Sequence, residues 1–129
     1  MFAGTAIQKR NLERAAAAGT SFEGADLSGS RLNFADLSGS SLRDARLVEA
    51  QLVETNLAGA DLTGADLSRA RLQAANLRGA DLTDTDLRGA NIDGVDLTDA
   101  TICNTRLDEN AQRWLERSST RDCPKSTTP

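Results

Sequence analysis

A five-residue repeat runs without a break through most of this 129-residue sequence. With ADLSG (residues 25–29) as the reference unit, a large apolar residue occupies its third position, position i, in eighteen consecutive units from Phe22 to Leu107. Position i−2 is Ala in eleven of these units, position i−1 is Asp or Asn in ten, and position i+2 holds eight of the ten glycines. The spacing fits neither the 3.6-residue period of a helix nor the alternation of a strand.

Self-similarity at a fixed period predicts a solenoid, in which each unit buries its apolar residues against neighbouring coils. We expect each unit to be a short extended piece followed by a corner, with the side chains at i−2 and i directed inward. Glycine suits the corner because it accepts backbone angles that other residues avoid. Since only 3% of the residues are aromatic, Leu and Ala must fill the core. The sequence therefore predicts an all-β solenoid.

The units ADLSG, ADLTG, ADLSR, ANLRG and ADLRG resemble the A(D/N)LXX motif of the pentapeptide-repeat family. This resemblance implies a right-handed quadrilateral β-helix with four pentapeptides per coil, so that eighteen units make about four and a half coils. At ~4.8 Å per stacked strand, the repeat body would be roughly 22 Å long.

The repeat divides the chain into a body over residues 20–109 and two flanking caps. For residues 1–19 we predict a short helix covering the open end, because Thr5 and Gln8 have the spacing of a capping box. A degenerate first coil is the alternative, since Ile7 and Leu12 fall on the repeat. Arg10 argues against that alternative, because it would stand at a small inward position.

Residues 110–129 are predicted to form a capping helix and a polar tail, because a solenoid needs its last coil shielded. Asp108 is a candidate N-cap for this helix. Trp114 and Leu115 are its apolar residues, and they either cover the last coil or form a dimer contact. The oligomeric state is therefore left as a monomer or a dimer formed through this helix.

Catalytic chemistry is not expected from this composition. The chain has no histidine and no tyrosine, which removes the commonest general bases and most nucleophile–base pairs. Two cysteines without histidine cannot complete a zinc site, and stacked carboxylates lack the oxygen cage that calcium requires. We therefore predict a protein that is not an enzyme and that uses no cofactor or metal.

Cys103 and Cys123 leave two possibilities open, a pair of free thiols in a reducing cytosol or a disulfide that joins the C-terminal cap to the body. No secretory leader is visible, and no run of ~18 apolar residues could span a bilayer. We expect a cytoplasmic protein without a membrane partner. The alternative is a thylakoid-lumen or periplasmic protein whose signal has been removed.

Three outward positions carry apolar side chains: Val48 and Val53 stand at i+1, which is normally polar, and Phe34 stands at i+2 of the coil before. Scattered apolar residues are common on protein surfaces, but these three are our candidate contacts for a protein partner of unknown identity. These outward-facing apolar side chains are the clearest departure from the repeat.

Residues 20–109 contain sixteen acidic residues and eight arginines, a balance that repels phosphates and disfavours nucleic-acid binding. The most acidic face carries a net charge of −4 and contains Glu23, Asp44, Asp61, Asp81 and Asp84. Some family members resemble duplex DNA and bind DNA gyrase. Because DNA carries one charge per ~1.7 Å, a comparable length would show about thirteen charges.

Our primary hypothesis is therefore a non-catalytic interaction or scaffold module. The alternatives are a DNA-mimic regulator or protector of DNA gyrase and a disulfide-capped lumenal or periplasmic family member.

Overall fold

The computed structural model describes residues 2–109, 111–112, 120–121 and 123. Its backbone is a ladder of parallel β-bridges between residues twenty apart, which begins with Ala6↔Asp26 and ends with Thr101↔Arg121. Each bridge joins residues at position i−1, and no longer strand is assigned within the described part of the chain. Four five-residue units therefore complete one turn of the ladder.

The four columns of bridges define four sides, which we number in chain order. The first bridged residue is Ser21 on side 1, Ala6 on side 2, Asn11 on side 3 and Ala16 on side 4. Each column then continues along its side in steps of twenty residues.

The core is a column of leucines stacked between these sides. Every residue at position i from Leu27 to Leu82 is a leucine with less than 2% of its surface exposed. Burying one such side chain contributes roughly 1.5–3 kcal/mol before entropy is counted. The residues at i−2 are small because this position also points inward, and the four buried hydroxyls found there are all hydrogen-bonded. Thr55 Oγ1, for example, donates a hydrogen bond to the backbone oxygen of Leu32 at 2.8 Å.

The corners explain why the period is five. The N–H at position i+3 donates to the carbonyl at position i, as Ala60 does to Leu57 at 3.0 Å. Between them, the residue at i+2 has a left-handed φ at every fifth position from Gly4 to Asn104. Eleven of these residues are not glycine. In each of them the Cβ atom destabilises the left-handed conformation by roughly 1–2 kcal/mol.

The predicted N-terminal helix is wrong for residues 2–19, which form a first coil in register with the body. Ala6, Asn11 and Ala16 bridge to Asp26, Arg31 and Asp36. Arg10 does stand at an inward position, but it is exposed, because no coil among the described residues covers this end of the solenoid. The cost of burying a charge would exclude an arginine at this position in an inner coil, but it does not apply in a terminal coil that is open to water.

At the C-terminus, residues 109, 111 and 112 are helical. Asp108 precedes them as predicted, and its backbone oxygen accepts the first helical bond from Gln112 N–H at 3.0 Å. Its Oδ2 atom accepts a hydrogen bond from Gly89 N–H at 2.9 Å, which ties the start of the helix to the coil before it. Residues 120–121 then return to the ladder, as Arg121 N–H donates to Ala100 O at 2.7 Å. This part of the predicted polar tail is therefore one more rung of the ladder.

Candidate functional site

Seven of the aspartates have a structural role at the corners. All ten Asp and Asn residues at position i−1 of the repeat body accept a hydrogen bond through Oδ1 from the N–H two residues later, at 3.0–3.1 Å. This arrangement is an Asx turn, which satisfies an N–H that faces outward at the corner. The abundance of Asp therefore follows from backbone hydrogen bonding.

These hydrogen bonds also keep the carboxylates charged. The Ser38 hydroxyl, which donates to Asp36 Oδ1 at 2.6 Å, and the Ser38 N–H lower the pKa of Asp36 below its usual value. The hydroxyl and N–H of Thr98 lower the pKa of Asp96 in the same way. A carboxylate with a lowered pKa is a poor proton donor near neutral pH.

The five residues of the predicted acidic face all lie on side 1 or its corner, but they do not form one cluster. Asp61 and Asp81 are adjacent in the bridge column. Burial raises the pKa of Asp61, but hydrogen bonds from Thr63 and from Arg43 outweigh it, so that the net shift is downward. Arg43 Nη1 lies 3.1 Å from Asp61 Oδ2. Glu23 stands at i+1, while Asp44 and Asp84 stand at i+2 with Gly64 between them.

Phe34 and Val53 are brought together on side 3. Phe34 N–H donates to Val53 O at 2.9 Å, so the two residues lie on consecutive coils. Phe34 is 43% exposed, and Val53 is half-buried. The guanidinium carbon of Arg14 lies 4.8 Å from the centroid of the Phe34 ring, a cation–π contact. An exposed aromatic ring is therefore held in place from the preceding coil.

Val48 lies apart from this pair. Its backbone oxygen accepts a hydrogen bond from Gly29, and its unit belongs to side 2. The three predicted contacts therefore divide into a pair on side 3 and one residue on the adjoining side.

Cys103 and Cys123 form a disulfide in the structure. The two residues are twenty apart in sequence, and they stand at the same position on consecutive coils of side 1. Their Cα atoms are 4.6 Å apart because adjacent rungs of the ladder bring equivalent positions together. Trp114 and Leu115, the predicted cap or dimer contact, lie outside the described residues.

The N-terminal end, which we expected a helix to cover, is left open by the described residues. The inner surface of the first coil lines a hollow of about 390 Å³, which is largely apolar and has Arg10 at its margin. Phe2 stacks on Phe22 there, with ring centroids 5.3 Å apart. The signal was present in the sequence, because Phe2 is at position i and Gly4 and Gly19 are at i+2 of the same repeat.

Among the described residues, no group of three or more His, Cys, Asp or Glu side chains is placed to hold a metal ion. In the same part of the chain, no helix has the length and apolar character needed to cross a bilayer.

Comparison with known proteins agrees with this architecture. A family description of pentapeptide repeats matches residues 11–44, 45–84 and 65–102, with eight copies of the repeat. The chain therefore belongs to the pentapeptide-repeat family, whose members form right-handed β-helices. No match to a curated protein sequence reaches significance.

Solved structures of the same fold are also similar. A pentapeptide repeat protein of the Arabidopsis thaliana thylakoid lumen has a TM-score of 0.61 at 24% identity, over 88% of this chain and 76% of its own. Rfr23, from the cyanobacterium Cyanothece 51142, has a TM-score of 0.56 at 26% identity, over 92% of this chain and 84% of its own. QnrB1, a plasmid-mediated fluoroquinolone resistance protein, has a TM-score of 0.52 at 17% identity, over 89% of this chain and 72% of its own.

Proposed function

We propose that this chain is a non-catalytic interaction module and that a protein partner binds its side 3. In this proposal the body is a right-handed, four-sided β-helix with about four and a half coils between Phe22 and Leu107. The observation that carries the proposal is Phe34, a large aromatic residue kept exposed at a corner position where glycine is commonest.

The backbone conformation at this position is strained for phenylalanine. Its φ is +64°, a conformation that disfavours any side chain with a Cβ. Ten other non-glycine corners share this backbone, so it is the large exposed aromatic ring that sets Phe34 apart from them. A glycine would remove the strain without affecting the core, so an aromatic side chain here does not serve the fold.

The surroundings of Phe34 also differ from the rest of the surface. On side 3 the usual Asp or Asn of position i−1 is replaced by Arg31, Gln51 and Arg71. Aromatic residues and arginine are enriched at protein interfaces. Val53 extends the apolar surface by one coil, and Arg14 holds the ring on its other side. Together they form a small contact patch beside Arg31, which is paired with Glu13 at 2.9 Å.

The test is a pull-down from the native extract with the wild-type chain and with Phe34→Gly as baits. We expect Phe34→Gly to fold at least as stably as the wild type, because it relieves the strain, and to lose the captured partner. Ala74→Gly is the matched control, because Ala74 has a similar φ of +58° in the same column of side 3. Retention of every partner by Phe34→Gly would reject side 3 as the contact.

The alternative function, a DNA-mimic regulator of DNA gyrase, has weaker support. The similarity to QnrB1 concerns the fold alone. The net charge of −4 on side 1 is also far below the roughly thirteen charges of a comparable length of duplex DNA. A supercoiling assay with added protein distinguishes the two functions. Inhibition of gyrase, or protection from a quinolone, at micromolar protein would favour the alternative.

We further propose that the protein works in an oxidising compartment, a periplasm or a thylakoid lumen, in place of the cytoplasm expected from the sequence. The disulfide between Cys103 and Cys123 supports this, because such bonds persist mainly outside the cytosol. Intact mass of protein from its native source, alkylated with and without prior reduction, tests the proposal. Alkylation of both thiols without reduction would reject it.

A further inference from the structure

The open end of the first coil has a free β-edge. In the inner coils, the residue at i−1 directs both backbone groups toward the preceding coil. Asp26, for example, donates its N–H to Thr5 O and accepts at its own O from Ile7 N–H, both at 2.9 Å. Ala6, Asn11 and Ala16 hold this position in the first coil. Within the described residues, neither their N–H nor their C=O groups have a partner. Such an edge is a template for pairing with another chain.

The outline of the edge decides which partner fits. The edge turns a corner every five residues, so a straight strand from another protein could pair with one side only. The open end of a second copy has the same four-sided outline and the same unpaired groups. We propose that two copies of this chain associate head to head through their first coils, related by a two-fold axis that passes through the middle of sides 2 and 4.

The hydrogen bonds of this arrangement are self-complementary. The axis places Ala6 opposite Ala6 of the second copy, and Ala16 opposite Ala16, with the chains antiparallel. A hydrogen-bonded antiparallel pair requires that each residue present both its N–H and its C=O to the other. Both alanines meet this requirement, and each pair forms two hydrogen bonds.

The charges at the corners select this axis among the four that a four-sided end allows. The first coil has two cationic corners, at Lys9 and Arg14, and two small ones, at Gly4 and Gly19. An axis through sides 1 and 3 would place the Lys9 corner over the Arg14 corner, and either diagonal axis would place one cationic corner over itself. The axis through sides 2 and 4 places each cationic corner over a small one.

The glycine corners can accept these side chains. Around Gly4 and Gly19, no atom lies within 4 Å of the place a Cβ would occupy. The same axis brings side 1 of one copy over side 3 of the other, so that Phe2, which is 42% exposed, faces the partner's hollow beside Leu12. The association therefore covers the apolar interior that the first coil leaves open to water, and Arg10, which lines the same hollow, lies at the interface with it.

The experiment is sedimentation equilibrium of the full chain over a range of concentrations. We expect a dimer, with twice the 13.7 kDa mass of the chain. Ala18→Arg places a cation at the Gly19 corner, opposite the partner's Arg14, and should weaken the dimer at least ~10-fold. Ala58→Arg, at the same position of side 4 two coils away, is the matched control and should leave the dimer unchanged.

A charge reversal completes the test. Adding Arg14→Glu to Ala18→Arg should restore the dimer, because residue 14 of each copy then faces the opposite charge at residue 18 of the other. Ala16→Pro should also abolish the dimer while leaving the monomer folded, since the Ala16 N–H has no partner within the described chain. A monomer at all concentrations up to the high-micromolar range would overturn the proposal. So would a dimer that Ala18→Arg leaves intact, which would point to the C-terminal end.

Discussion

Phe2 and Phe22 stack face to face, with ring centroids 5.3 Å apart and 7° between the ring planes. They occupy equivalent places on consecutive coils, one turn of the ladder apart. The first coil therefore follows the same repeat as the inner coils, although Leu12 is its only leucine at position i. It differs in burial, because Ile7 and Leu12 are half-buried while the leucines of the inner coils are not exposed.

Stability should therefore depend on where along the column a leucine is removed. Leu57→Ala, in the middle of the core, is expected to lower the free energy of unfolding by about 2–5 kcal/mol. In the monomer, Leu12→Ala, beside the open hollow, should cost about 1 kcal/mol or less, because water reaches this site when no second copy covers it. Urea unfolding of both variants measures the difference. Equal losses would mean that the open end is covered in solution.

Thr55 should be sensitive to the loss of a single hydroxyl. Its Oγ1 donates to Leu32 O at 2.8 Å inside the core. Thr55→Val keeps the shape but removes the donor, so we expect a loss of about 1 kcal/mol in urea unfolding. Thr55→Ser retains the hydroxyl and should keep the hydrogen bond. A Thr55→Val variant as stable as the wild type would show that the bond contributes nothing net.

The repeat made the interior predictable, because an unbroken spacing assigns each leucine and alanine to an inward position without any reference to distant contacts. The spacing of twenty residues between neighbouring coils was predicted from the resemblance to the pentapeptide-repeat family, since periodicity alone does not say how many units close a coil. The Asx role of Asp36 and its equivalents was visible only as a compositional preference, because hydrogen-bond geometry does not appear in the spacing.

The corners should respond oppositely to glycine and to alanine. Gly59 has a φ of +67° and open space where a Cβ would be, so Gly59→Ala should cost roughly 1–2 kcal/mol through the backbone alone. Glu54, with a φ of +54°, should gain stability when replaced by glycine. Thermal unfolding of the two variants tests the signs, and a stabilising Gly59→Ala would contradict this account of the corners.

Stability should fall in acid as the Asx turns are lost. Because the pKa of Asp36 is lowered from 3.8 in the folded state, its contribution is fully present above that value and is lost as the pH falls through the folded pKa. Asp36→Asn keeps the acceptor oxygen, as Asn56 does for Ala58 N–H at 3.1 Å. Between about pH 2 and pH 4, this variant should lose less stability than the wild type in urea titrations. Parallel curves would indicate that the turn does not favour the charged form.

The disulfide should hold the last rung of the ladder in place. It closes a loop with a sequence separation of 20, for which the entropy lost by the unfolded chain corresponds to about 3 kcal/mol. The double variant Cys103→Ser with Cys123→Ser should lose stability of that order, and the N–H of Arg121 should exchange with solvent faster. Wild-type protein in reductant is the matched control, and a stable double variant would show that the helix alone closes this end.

The two ends were predicted less well than the body, and the reasons are physical. At the N-terminus, Arg10 was judged by the cost of burying a charge, but an inward position in a terminal coil is open to water. At the C-terminus, the non-repetitive residues after Leu107 concealed that Thr120 and Arg121 return in register. Phe34 and Val53 could be singled out from the sequence, whereas the Arg14 contact with the Phe34 ring required the register of the coils.

The ladder step of twenty residues has a consequence for how such a protein can change. Removing one five-residue unit would leave every inward side chain inward, but it would move all later residues a quarter turn around the axis. A loss of four units would shorten the molecule and restore the original alignment. The exterior can thus be reshuffled in discrete rotations while the interior stays the same, so relatives with equally good cores can present different combinations of surface residues.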